Sequence, residues 1–93
     1  MLTIKYTKRF KKDYEREKSG RYSSKLKSLL AEVTDIMTSG KDFPHRYFDH
    51  SLSGEWKDCR NCHLKPDLIL IYRKINNQEI ELLRLGSHSE LGL

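Results

Sequence analysis

Residues 68–85, LILIYRKINNQEIELLRL, decide the fold. Leu68 to Lys74 opens with five apolar or aromatic residues in a row, so a strand built from it needs cover on both faces, as a central strand has. Asn76-Asn77 supplies a turn, and Glu79 to Leu85 returns as a second strand, antiparallel to the first because the link is short. Working backwards, Lys65-Pro66-Asp67 is another turn. Trp56 to Leu64 reads as extended but polar, Ser53-Gly54 as a turn, and Arg46 to His50 as a short strand after Pro44. Ahead of Pro44 the period changes from 2 to 3.6: Tyr22, Leu26, Leu29, Leu30, Val33, Ile36 and Met37 form a helical stripe that ends before Ser39-Gly40. Thr7 caps a shorter helix with Phe10 and Tyr14 four apart on its buried side, and Gly20 breaks it. Leu2-Thr3-Ile4-Lys5-Tyr6 alternates as a strand does. The expectation is an α+β fold in one domain, residues 1–93, with an N-terminal strand and two helices packed on a curved antiparallel sheet.

Composition bounds the function. At 37% apolar and 33% charged the chain is too rich in core formers for disorder. Its longest apolar run, Leu68 to Tyr72, falls far short of the ~20 residues of a membrane-spanning helix. MLTIKYTKRFKKD has no apolar segment behind its basic residues, so no signal peptide is read and a reducing cytoplasm is expected. Charge is unevenly spread. Residues 1–30 hold ten Lys or Arg against Asp13, Glu15 and Glu17, a net +7, within a chain of net +5. Such a surface suits a polyanion, since each neutralised phosphate releases a condensed counterion. A merely solvated helix face is the plain alternative.

The stretch DCRNCH, residues 58–63, matches the C-x-x-C-H pattern of haem attachment. In an extended segment Cys59 and His63 share one face and Cys62 takes the other, which separates the two thiols. Haem attachment wants both on one side. A structural zinc wants four ligands, and no second pair follows. A redox pair should open a helix, where the dipole lowers the thiol pKa. Free thiols packed in a sheet remain, and no cofactor or metal is assigned.

Histidines carry more. His50 ends a strand, His63 precedes the Pro66 turn, and His88 follows the last strand, all places where a rigid sheet presents groups to a ligand. Asp67 sits in the turn, placed to hold an imidazole in one tautomer. With Lys57, Arg60, Arg73 and Arg84 as phosphate-binding cations, these residues form an inventory for acid–base chemistry on a phosphodiester. A ribonuclease without metal uses the substrate's own 2′-hydroxyl as nucleophile, and imidazoles near pKa 6.5 can serve as base or acid. His88 is assigned as general acid, His50 or His63 as base, and Asp67 as the orienting carboxylate. Two other readings stand beside this one: a non-catalytic nucleic-acid-binding module, and a zinc-bound structural protein.

The runs DHSLSGEWKDCRNCHLKPDLILIY and LLRLGSHSEL together resemble the YafQ branch of the RelE family of bacterial toxins. The likeness is close over residues 49–91, and the preceding strand and helices suit the family's architecture. It implies a toxin of a type II toxin–antitoxin system, an mRNA endonuclease acting in the ribosomal A site. It also implies a cognate antitoxin, and operator DNA bound by the toxin–antitoxin complex. The family's active residues carry over to His50, His63, Asp67 and His88, with Arg84 binding phosphate. The chain departs from the pattern at Gly92, where the family has an aromatic that can stack on RNA.

Overall fold

The computed structural model of the chain describes residues 2–52 and 54–93, apart from the side chain of Glu55. Five strands form one sheet: β1 (Thr3–Tyr6), β2 (His50–Ser51), β3 (Arg60–Lys65), β4 (Leu68–Lys74) and β5 (Glu79–Gly86), in the order β1-β5-β4-β3-β2. β4 is the middle strand, and Leu68 to Tyr72 are all buried. This is the cover on both faces that its apolar run requires. β2 to β5 pair antiparallel, while β1 runs parallel to β5 at the edge, with Ile4 beside Ile80. The β4–β5 turn closes with the Gln78 amide donating to Asn76 Oδ1 at 2.7 Å, a local bond that Asn favours.

Helix α1 (Lys8–Glu17) starts where Thr7 accepts from the Phe10 amide, and α2 (Leu26–Ser39) stops at Gly40, whose φ of 74° suits a residue without Cβ. α2 begins later than its apolar stripe, because residues 20–25 form turns and Tyr22 packs from there. Both helices cover one face of the sheet. Phe10, Leu26, Val33 and Met37 join Cys62, Leu70, Leu82 and Leu85 in the main core. A smaller cluster of Cys59, Ile69, Ile71 and Leu91 lies on the opposite face, flanked by Leu52, Trp56 and Leu83.

Three local expectations change. Arg46 to His50 is not a strand throughout: Pro44 leads into a 3-10 turn, His45–Tyr47, and the chain reverses at Phe48 with φ 47° before β2. Trp56 to Leu64 is extended only from Arg60. A second 3-10 turn, Gly54–Trp56, and the Cys59 amide bonded to the Trp56 carbonyl at 2.9 Å curl the chain first. Gly54 has φ 66°, while the Ser53 half of the turn expected there lies outside the described residues. After β5 the chain adds a third helix, α3 (His88–Leu91), which starts because Ser87 and Glu90 form a capping box. No described helix is long and apolar enough to cross a membrane.

Candidate active site

Alternation along β3 sets the site. Cys62 and Leu64 point into the main core, so Asn61 and His63 point to the other face, and Cys59 joins them there. His50 pairs with Asn61 across the β2–β3 ladder, which brings it to the same face. His88 is the first residue of α3 and approaches from the end of β5. The three rings meet: centroids lie 6.4 Å apart for His50 and His63, and 5.5 Å apart for His63 and His88. They line one cleft of about 1020 Å³, together with Phe43, Phe48, Asp49, Arg60, Asn61 and Pro66.

Each imidazole is anchored through Nδ1. His50 Nδ1 lies 2.7 Å from the Phe48 carbonyl, and His63 Nδ1 a longer 3.4 Å from that of Pro66. His88 Nδ1 lies 2.7 Å from Asp67 Oδ1, which also accepts the His88 amide at 3.0 Å. A carbonyl or carboxylate at Nδ1 requires the proton there, which leaves Nε2 of each ring for a ligand. Asp67 therefore does hold an imidazole, and it is that of His88, 21 residues away, rather than that of its neighbour His63. The two donors from His88, its amide first, lower the Asp67 pKa. Burial lowers the pKa of His63, assisted by the nearby His88 and His50, against a weaker pull from the Pro66 carbonyl. His63 is thereby biased toward its free base.

The four cations separate. Arg60 lines the cleft, with Nη2 3.1 Å from Asp49 Oδ2. Asp49 also accepts from the hydroxyl of buried Tyr72. Lys57 is exposed in the turn before β3 and does not line the cleft. Arg73 is four residues along β4 from Ile69, the partner of His63, on the order of 13 Å away, and it pairs with Glu81. Arg84 is the clearest departure: its Nε donates to Asp13 at 2.7 Å, and its side chain is only 12% exposed. Asp13 on α1 also accepts from Arg16 at 2.9 Å and from the Leu85 amide at 3.0 Å. Arg84 thus ties α1 to β5 and has little left to offer a phosphate.

Sequence reasoning missed Asp13, Asp49 and Tyr72. No local pattern marks them, because their partners lie 71, 11 and 23 residues away. It also missed the support under His88. Arg16 Nη2 reaches the Leu85 carbonyl at 2.8 Å and its Nε reaches Glu90 at 2.9 Å, fastening α3 to α1. A Cβ on Gly86 would meet that guanidinium at 2.8 Å, so the glycine of Leu85-Gly86-Ser87 allows the close approach. Cys59 and Cys62 are free and buried on opposite faces, and burial raises both thiol pKa values, which keeps them unreactive.

Comparison with known proteins agrees along nearly the whole chain. A family model described as the bacterial toxin of type II toxin–antitoxin system, YafQ, matches residues 2–92. The mRNA interferase toxin YafQ of Escherichia coli K12 is 35% identical over 89 residues, covering 95% of this chain and 92% of the relative. Among solved structures, a metal-bound toxin from Helicobacter pylori aligns at TM-score 0.79 and 40% identity over 98% of this chain and 99% of that one. In this chain, no group of three or more His, Cys, Asp or Glu among the described residues is placed to hold a metal ion. The E. coli DinJ–YafQ toxin–antitoxin complex aligns at TM-score 0.79 and 28% identity over 97% of this chain and 96% of its own. Fold, motif and coverage agree, and the chain belongs to the YafQ family of type II toxin–antitoxin toxins.

Proposed function

We propose that this chain is the toxin of a type II pair and an endoribonuclease that cleaves mRNA by acid–base catalysis in the histidine cleft. The observation that carries the reading is the set of three imidazoles on one cleft, each with no partner for Nε2 among the described residues, one biased toward the free base and one fixed by a carboxylate. His63 Nε2 takes the proton of the ribose 2′-hydroxyl, and that oxygen attacks the adjacent phosphorus. His88 Nε2 gives its proton to the departing 5′-oxygen, leaving a 2′,3′-cyclic phosphate and a free 5′-hydroxyl. Asp67 positions His88 and does not touch the substrate. Arg60 faces the phosphate, where a planar guanidinium can pair two oxygens of the pentacoordinate species. His50, beside His63, shares the charge that develops there. Each positioned proton transfer is worth ~10²–10⁴-fold.

Partners follow from charge and kinship. Lys8, Arg9, Lys11 and Lys12 are exposed on α1, which packs on β5, with β4 between it and β3. A basic face set apart from the cleft suits docking on ribosomal RNA, with mRNA in the A site entering the cleft. An acidic antitoxin would cover part of the same surface, as the family's two-component organisation implies, and the pair would bind operator DNA. The test is cleavage of ribosome-bound mRNA by purified protein, read by the position and chemistry of the new ends. Cyclic phosphate ends facing 5′-hydroxyl ends support the reading. No cleavage on programmed ribosomes, or new ends that carry a 5′-phosphate, overturns it.

A further inference from the structure

Phe48 is an anomaly of the cleft. It is 66% exposed, against 49% for Tyr6, 44% for Ile75 and 42% for Leu93, the other large hydrophobics left in solvent among the described residues. It belongs to neither core cluster. Its backbone sits at φ 47° and ψ 42°, a left-handed conformation that Gly or Asn adopts with less strain than an aromatic. The backbone has its own reasons for that shape: the Phe48 amide closes the 3-10 turn, and its carbonyl accepts from His50. None of them requires a ring.

What the ring touches is the chemistry. It packs T-shaped on His63 at 5.7 Å between centroids. It lines both the histidine cleft and an adjoining depression of about 370 Å³ bordered by Lys65 and by Arg46, which is ion-paired to Glu32 there, so it stands on the divide between them. Phe43, the other phenylalanine of the cleft, is packed against Tyr47 and Tyr72. That leaves Phe48 as the lining aromatic with its ring in solvent, in a chain where Gly92 brings none.

We infer that Phe48 is a stacking platform for a nucleobase beside the scissile phosphate, with the RNA continuing past it toward Lys65. The inference rests on the RNA-cleaving reading of this cleft and adds the group that holds a base in register with His63. Exposed aromatics next to cations are how proteins hold unpaired bases, because every base has a π-face. A protein partner would also cover an exposed ring, but the packing against His63 sets this one within the reacting cleft.

Base stacking on one aromatic ring corresponds to about 5- to 150-fold in affinity. The experiment uses His88→Ala protein, which retains RNA, and a single-stranded heptaribonucleotide with 2-aminopurine at each position in turn. Stacking quenches this base, so one position should darken on binding. Phe48→Leu should lose the quench and about 5- to 150-fold in affinity, while Phe48→Tyr and Phe48→Trp keep both. Phe48→Gly should lose the quench yet melt at a higher temperature, because it relieves the left-handed strain. A ring that served only to pack would lower the melting temperature when removed. Unchanged quench and affinity in Phe48→Leu overturn the inference, as does a loss confined to binding of the antitoxin. Failure of the nuclease reading shows separately, as absence of mRNA cleavage by protein with His88 intact, and the quench decides Phe48 in either case.

Discussion

Two aspartates in this molecule are put to opposite ends. Between α1 and β5, Asp13 is 4% exposed and accepts from Arg84, Arg16 and the Leu85 amide, so charge and hydrogen-bonding capacity are consumed internally. At the cleft, Asp67 and His88 have side chains 55% and 47% exposed, and the ring keeps Nε2 for something else. Burial decides which role a pair takes. A buried charge must be fully matched, since the desolvation cost is large, whereas an exposed pair stabilises little and can be left partly unsatisfied. The first cluster is built for stability, and the second leaves a group free for the proposed chemistry.

Breaking the first cluster should have the largest effect. Asp13→Ala leaves the largely buried Arg84 without its counter-charge and should cost about 3–5 kcal/mol of stability. Chemical denaturation would measure this, with Asp13→Asn losing less because it keeps a hydrogen bond. The same carboxyl gives the acid limit. Burial alone would raise the pKa of Asp13, but Arg84, the Leu85 amide and Arg16 outweigh it and hold it below the ordinary value of 3.8. Its contribution is therefore present above the unfolded-state pKa and is lost as pH falls through the lower, folded value. Asp13→Ala should flatten the acid end of the stability profile.

The second cluster should respond in rate instead. His88→Ala should lower cleavage by ~10²-fold or more and remove the alkaline limb of the pH–rate profile, with stability changed by less than ~0.5 kcal/mol. Asp67→Asn should cost less, since the ring keeps its place on α3. With His63 as the proposed base, the acid limb should follow it: a base must be unprotonated, so the rate should rise with pH through a pKa that burial holds below 6.5. Activity should persist to lower pH than an ordinary imidazole would permit. A stable, fully active His88→Ala protein would erase the contrast between the clusters.

The cysteines sharpen the comparison at a smaller scale. Cys62 is 0% exposed in the main core, so Cys62→Ser buries an unpartnered hydroxyl and should cost roughly 1–3 kcal/mol. Cys59, 6% exposed in the smaller cluster, should tolerate Ser better. Neither change should alter the rate per folded molecule. Smallest in stability is the basic face of α1. Replacing Lys8, Arg9, Lys11 and Lys12 with Gln should leave the fold intact and reduce the salt slope of ribosome binding by ~0.7–0.9 for each phosphate that is no longer neutralised. An unchanged slope would make this face merely solvated.

Sequence alone determined the repeating elements and pointed to the histidines of the proposed site. A 3.6-residue period makes α2 and a doubly apolar run makes β4 wherever they are met, because both follow from which sides of a local backbone carry apolar groups. His50, His63 and His88 stood out for a related reason: each lies in or beside a segment next to a turn, and turn chemistry is local. Tertiary structure decided everything that depends on a distant partner. It made β1 a parallel edge strand, gave Asp67 to His88, and committed Arg84 to Asp13 across 71 residues. It also left the ring of Phe48 in solvent on a left-handed backbone. A residue type states what bonds it can make, and only the closed fold states which groups arrive within about 3 Å to make them.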